Sequence, residues 1–249
     1  MVIGGWLDSF LDEHKWLVRL LKKFDAIYVE SDMMKSALQR RGFENAVVMY
    51  NFKELEPLAE SDIEYPKSEP YKLCTFSRVM KEKGIEDAIN AVESVNAHFG
   101  RTVYTLDIFG QVDVEYKERF SQLEKSFPDY ISYGGAIEAN KSIETLKSYF
   151  ALLFPTYYKG EGFAGTLIDA MSAGVPVIAS DWKYNPEFVV PGKTGVIIEN
   201  CNAERLAEEL INIAAAPEKW NSMRLSALKE SEKYKPDIAA RPLIDRING

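Results

Sequence analysis

Two acids and two bases stand out by type and position in this 249-residue sequence. Glu161 lies in a glycine-bearing turn, Lys159-Gly160-Glu161-Gly162. Asp169 follows in the apolar run Leu167-Ile168-Asp169-Ala170-Met171. If 163–173 is helical, a rise of about 1.5 Å per residue sets the two carboxylates roughly 10–12 Å apart. That suits two hydrogen-bonding points on one long ligand: sugar hydroxyls at Glu161 and ribose hydroxyls at Asp169. It is too wide for a carboxylate pair sharing one bond-breaking event. Arg78 and Lys83 flank a second turn, Ser77 to Gly84. Two cations beside a helix N-terminus would hold a diphosphate and stabilise it as it leaves. Each residue also has a plainer reading, as a solvated surface cation, loop acid or helix-face acid. Asp169 strains that reading most, because a carboxylate among apolar neighbours needs partners.

These residues need a frame to bring them together. Residues 151–154 read as a short buried strand, 155–162 as a polar turn, and 163–173 as a helix. Gly174-Val175-Pro176 breaks the helix, and 177–179 is a second buried strand. The same alternation runs through 71–199, with strands at 71–76, 102–109, 130–133 and 195–198 and helices at 85–95, 114–127 and 142–150. Helices at 203–215, 217–233 and 236–247 finish the chain. Strands alternating with helices predict an α/β fold, a parallel sheet covered on both faces. Ligands of such sheets sit beyond the strands' carboxyl ends. Loops 77–84, 110–112, 134–137 and 155–165 all fall there. Upstream, strands at 25–30 and 46–50 surround a helix from Ser31 or Asp32 to Arg41. Residues 53–70, with Pro57, Pro66 and Pro70 and little apolar periodicity, read as a linker.

The composition, 46% hydrophobic and 27% charged, is that of an ordinary soluble protein. A net charge of −8 argues against bulk nucleic-acid binding. Cys74 and Cys201 are the only cysteines and lack metal-type spacing, which fits a reducing compartment. No apolar run reaches membrane-spanning length and no signal peptide opens the sequence. A helix over 8–23 would carry Leu17, Leu20, Leu21 and Phe24 on one face and Lys15, Arg19, Lys22 and Lys23 on the other. It reads as a core-facing helix with a solvated basic face, or as one lying on an anionic membrane.

Three patterns mislead. Gly160 to Gly165 satisfies GxGxxG and Asp181 ends the next strand, the outline of a dinucleotide site. The first glycine comes too long after the strand, so an NAD-dependent oxidoreductase is a distant reading. Pro191-Gly192-Lys193-Thr194 imitates a P-loop tail, but Glu187 stands at its opening glycine. Asp113-Val114-Glu115 is the polar start of a helix rather than a metal pair, and His14 and His98 have no partners for metal or base chemistry.

The order Ser77-Arg78-Val79…Lys83-Gly84, Ile108-Phe109-Gly110, Tyr133-Gly134-Gly135, Phe154-Pro155-Thr156, Glu161-Gly162-Phe163 with an acid at 169, Ala170 to Ala179, and Pro186-Glu187 resembles the retaining nucleotide-sugar glycosyltransferases of the GT-B fold, glycosyltransferase family 4. The wording GEGFAGTLIDAMSAG is similar to the branch that builds capsular, exopolysaccharide and lipopolysaccharide sugars. The resemblance implies that Arg78 and Lys83 bind the donor diphosphate, Glu161 the donor sugar and Asp169 the ribose. It implies that N–H groups of Phe163 and Ala164 reach sugar and phosphate, with Gly110, Gly162, Gly165 and Thr166 completing the donor-binding set. The usual second acid is glutamate; here it is the shorter Asp169. The resemblance further implies a nucleotide-sugar donor, commonly a uridine one, a glycan or lipid-linked acceptor, no metal and no cofactor, and retention by same-face attack with the diphosphate as base. It implies a cytoplasmic protein with at most peripheral contact with the inner membrane face.

The resemblance divides the chain into four parts. Residues 1–52 resemble only the last third of an acceptor-side N-terminal domain, 53–70 form a linker, 71–235 form the donor domain, and 236–249 cross back to the N-terminal part. Gly4-Gly5 stands where many relatives place a donor-contacting histidine. Two readings follow: an enzyme whose acceptor half comes from a partner chain or a longer gene, or a nucleotide-sugar-binding module with little activity alone. In both, the exposed edge of a truncated sheet predicts self-association or a partner chain through 1–52.

Overall fold

A computed structural model describes residues 2–248; Met1 and Gly249, the outermost residues of the expected first and last segments, lie outside the described residues. The backbone forms two parallel sheets. The smaller comprises β1 (Val2–Ile3), β2 (Ile27–Val29) and β3 (Ala46–Val48), in the order β1-β2-β3. The larger comprises β4 (Tyr71–Phe76), β5 (Tyr104–Phe109), β6 (Ile131–Gly135), β7 (Ala151–Phe154), β8 (Val177–Ser180) and β9 (Gly195–Ile198). Its order is β6-β5-β4-β7-β8-β9.

Alternate residues of the central strands enter different cores. Leu73, Ala151, Leu153 and Ile178 pack with the helices Ile85–Phe99 and Ala203–Ala215. Cys74, Leu152, Phe154, Val177 and Ala179 pack with the helix Gly165–Ser172 and with Phe188 and Tyr234. Both faces are therefore apolar, which is why these strands read as continuous hydrophobic runs. The order reverses between β4 and β7, which pair through Leu73–Ala151 and Cys74–Leu152. The loops after Phe76 and Phe154 diverge from that point and leave the crevice where ligands of doubly wound sheets sit. The buried Arg224 guanidinium donates to the carbonyls of Tyr149 and Lys147, tying the C-terminal helices to the start of β7.

The expected helix over 8–23 is two helices, Leu7–Glu13 and Leu17–Leu21. His14 leaves helical geometry (φ −122°, ψ 53°) and its ring stacks back on Phe10. The break redistributes the apolar side chains. Leu7, Leu11 and Leu21 are buried, whereas Leu20 and Phe24, expected in the core, are exposed beside Trp16, which is 70% exposed. The expected helices at 114–127 and 142–150 shorten to Lys117–Glu124, after a 3-10 turn at Val114–Tyr116, and to Ser142–Leu146. A helix that propensity does not announce, Asn185–Phe188, follows β8. Residues 53–70 lie against the large sheet's helices: Leu58 N–H donates to Ser172, Asn221 donates to Pro66, and Ile63 is buried. At the end of the chain, Arg246 in the helix Arg241–Asn248 donates to the Asp25 carbonyl, and Leu243 packs on Ala26, Tyr28 and Met49.

Candidate functional site

At the carboxyl edge of the large sheet, the loops after β4, β5 and β7 enclose a cavity of about 390 Å³. Its lining includes Arg78, Lys83, Gly110, Glu161, Ala164, Gly165, Thr166 and Asp169. Each comes from a different local device. Gly110 has φ 137°, and a Cβ there would stand 1.7 Å from the Ser77 carbonyl oxygen, so only glycine lets the β5 loop close on the β4 loop. Lys83 ends a 3-10 turn, Lys81–Lys83, that Gly84 closes in the left-handed region (φ 70°). Thr156, two residues after β7, turns its hydroxyl toward Glu161.

Glu161 is buried, and Lys83 Nζ lies 2.6 Å from its Oε2. The Thr156 hydroxyl donates to the same oxygen at 2.8 Å. Lys83 Nζ also lies 5.4 Å and 5.2 Å from the ring centroids of Phe154 and Tyr158. These contacts fix Glu161 through Oε2 and hold one cation beside it. Arg78 is held less closely. Its side chain is half exposed, it lies over the Tyr158 ring at 5.8 Å, and it approaches Asp113 Oδ2 at 3.6 Å. Asp113 also caps its own turn by accepting from Glu115 N–H, the polar helix start expected of it.

The Asp169 carboxylate is buried within the helix Gly165–Ser172. Oδ2 accepts from Lys53 Nζ at 2.6 Å and Oδ1 from the Ser142 hydroxyl at 3.1 Å. Burial raises its pKa above the ordinary aspartate value, and Lys53 and Ser142 act in the opposite direction. Ala164, at that helix's N-cap, supplies no side-chain cap. The Thr166 hydroxyl is buried without a partner while its residue lines the cavity. Unpaired donors at a helix N-terminus, with an orphan hydroxyl among them, fit an anionic oxygen-rich ligand.

Two expected members of the set do not line the cavity. Phe163 spends every group elsewhere: its N–H donates to Glu30 Oε2 at 3.1 Å, its carbonyl accepts from Asn51, and its ring stacks on Phe188 at 3.6 Å. Gly162 faces the small sheet instead, where a Cβ would stand 2.4 Å from Glu30 Oε2. Gly5 is equally constrained, because a Cβ there would lie 2.0 Å from the Glu161 carbonyl oxygen. Position 5 therefore admits only glycine against that loop, whereas a Cβ at Gly4 would meet Glu30 Oε2 at an ordinary 3.6 Å. Conversely, sequence reading missed Lys53, Ser142, Thr156 and Glu30. Only Thr156 carried a local signal, as the third residue of Phe154-Pro155-Thr156.

The family model for glycosyl transferases group 1 matches residues 59–230. The chain belongs to that family. It is 30% identical over 178 residues to the UDP-N-acetylglucosamine–peptide N-acetylglucosaminyltransferase GtfA subunit of Streptococcus gordonii, covering 68% of this chain and 34% of that protein. It is 27% identical over 184 residues to a poly(glycerol-phosphate) alpha-glucosyltransferase of Bacillus subtilis, covering 72% and 26%. The chain thus spans about a third or less of the length of these two curated relatives. Among solved structures, HepE of Anabaena with UDP and glucose superposes with a TM-score of 0.79 at 16% identity, over all of this chain and 70% of that one. The GtfA/B complex gives 0.74 at 24% identity, over 95% and 48%. These likenesses identify the fold as that of the GT-B glycosyltransferases.

Proposed function

We propose that this chain forms the donor-binding side of a retaining glycosyltransferase of family 4. In this reading it moves a sugar from a nucleoside-diphosphate donor, preferentially a UDP-sugar, to a glycan or lipid-linked acceptor in surface polysaccharide synthesis. One observation carries the reading: two cations, an uncapped helix N-terminus and two separated carboxylates converge on one cavity. Arg78, Lys83 and the amides at Ala164 to Thr166 take the diphosphate and stabilise it as it leaves, a role that needs no metal ion. Glu161, held through Oε2, accepts from sugar hydroxyls, and Asp169 takes the ribose. The departing diphosphate then receives the acceptor's proton on the same face of the sugar. UDP in the HepE structure and the UDP-N-acetylglucosamine specificity named for GtfA support the choice of nucleotide.

Titration calorimetry with UDP, GDP and their sugars tests this. UDP or UDP-sugar binding that Arg78→Ala removes supports it; a folded chain that binds no nucleotide overturns it.

A second reading, favoured by the GtfA/B complex, makes residues 1–52 the end of an acceptor-side domain and the part through which the chain meets a partner chain or a second copy. Ultracentrifugation checks this, and a monodisperse monomer at high concentration counts against self-association. We also place the chain at the cytoplasmic membrane face. Trp16, Leu20 and Phe24 lie exposed among Lys15, Arg19 and Lys23, and no described helix is long and apolar enough to cross a membrane.

A further inference from the structure

Lys53 belongs to the chain between the two sheets, yet it lines the cavity. Its place follows from its neighbours. After β3 the chain runs on without regular secondary structure through Asn51, Phe52 and Lys53. Asn51 donates to the Phe163 carbonyl at 2.9 Å, while Phe52 is exposed. Lys53 lies against the helix that carries Asp169. Its stem passes Gly165, where a Cβ would stand 2.9 Å from Lys53 Cε.

The ion pair that results is asymmetric. The Asp169 side chain is 3% exposed and the Lys53 side chain 32%. A pair of this kind contributes little net stability, because desolvation offsets the attraction. Its position on a cavity wall points instead to a ligand. Each carboxylate oxygen has two acceptor sites and the ammonium three N–H groups. Ser142 and Lys53 use one site on each oxygen, and Asp169 uses one N–H. What remains is a carboxylate that still accepts beside an ammonium that still donates. A hydroxyl satisfies both at once, since it donates and accepts; two adjacent hydroxyls do so without leaving either charge short.

We infer that Lys53 and Asp169 together clamp the vicinal hydroxyls of the donor's ribose, with Lys53 the group that makes this end of the site selective for a diol. The inference rests on the nucleotide-sugar reading and deepens it. It makes Lys53 a binding residue in its own right, reached from the junction between the two sheets rather than from the donor fold.

Calorimetry of the whole chain with UDP and with 2′-deoxy-UDP tests it. Hydrogen bonds to charged groups predict that the unaltered chain prefers UDP by about 10- to 100-fold. Lys53→Ala should weaken UDP about tenfold and 2′-deoxy-UDP less than about threefold, so that the preference narrows by about threefold or more. Lys53→Arg should restore part of it, and Asp169→Asn with Lys53→Ala should lose no more preference than either alone. Equal weakening of both nucleotides by Lys53→Ala would make Lys53 a general phosphate cation and overturn the clamp, as would unchanged affinity for both in a variant with native circular dichroism. Arg78→Ala separates this from the broader reading, since it should weaken both nucleotides alike. If the unaltered folded chain binds neither nucleotide, the donor reading falls and the clamp with it.

Discussion

The two sheets differ in what holds them. The six-stranded sheet is buried on both faces by strands of four to six residues. The three-stranded sheet has strands of two or three residues and two small clusters, one around Leu11, Ile27, Leu38 and Phe43 and a lesser one of Ala26, Tyr28 and Met49. Between them the specific contacts are largely polar and reciprocal. Glu30 of the small sheet accepts from Phe163 N–H, and Glu187 of the large one accepts from Asp32 and Met33 N–H at 2.7 and 3.0 Å. Tyr50, packed edge-on to Phe188 and Tyr234, adds an aromatic contact. The cavity is thus walled mostly by a self-sufficient core. The small sheet holds its place by a few hydrogen bonds, the kind of junction that permits relative movement.

The harshest test of that contrast is Phe43→Ala. Phe43 is fully buried in the larger of the two small clusters, and its truncation should cost about 3–5 kcal/mol there. Hydrogen exchange should show lost protection in β2 and β3 with protection kept in β4, β5 and β7. Loss of protection throughout would mean that the two sheets fold as one unit and would break the comparison.

Chemistry should show the reverse bias. Glu161→Ala should lower turnover or donor affinity by about 100-fold or more, the scale seen when a charge-stabilising group is removed. Glu161→Ala also leaves the buried Lys83 without its partner, so its melting temperature should fall, whereas Glu161→Gln, which keeps an acceptor beside Lys83, should lose function with a smaller fall. A variant that keeps full affinity would remove Glu161 from the site; one that unfolds would make the Lys83–Glu161 pair structural.

The junction itself should respond more mildly. Glu187→Ala deprives two amides at the N-terminus of the helix Asp32–Arg40 of their acceptor, a loss of about 1 kcal/mol by analogy with helix caps. Scattering should report a looser average shape with nucleotide affinity unchanged. No change in shape would show that Tyr50 and its neighbours suffice to align the sheets.

The same contrast explains what could be read from sequence. Arg78, Lys83, Glu161 and Asp169 are marked by local pattern, because each sits at a fixed offset from a strand end that the alternation of apolar runs reveals. Lys53 meets Asp169 across 116 positions, and Glu30 meets Phe163 across 133. No periodicity announces such pairs. The helix expected over 8–23 failed for a related reason. Leu17, Leu20, Leu21 and Phe24 fit one face of a long helix, but the helix that carries them spans only Leu17–Leu21, so Phe24 lies past its end, and His14 parts it from Leu7–Glu13. Where strands are long and buried on both sides, local pattern and tertiary packing agree. In the small sheet, tertiary contacts decide.

Acidity offers the finest probe, because Asp169 joins the two regions through Lys53. Burial raises its pKa above the ordinary value of 3.8, with Lys53 and Ser142 opposing the rise. The folded chain therefore holds the proton more tightly than the unfolded one. Asp169 contributes stability that is fully present below the ordinary value and is lost as pH rises through the raised one. Under the proposed ribose contact, ligand binding runs the other way, since an ionised carboxylate accepts from hydroxyls and a protonated one competes as a donor. UDP affinity should be full above the raised value and fall as pH drops through it, a fall that Asp169→Asn flattens. Lys53→Ala removes the largest opposing influence, so its affinity should begin to fall at a higher pH than the parent's. Calorimetry across a range of about pH 4 to 7 would read this, a displacement of the curve by one pH unit corresponding to about 1.4 kcal/mol. An identical profile with and without Lys53 would mean that the lysine does not govern the carboxylate it touches, and that the large sheet sets its own site chemistry unaided.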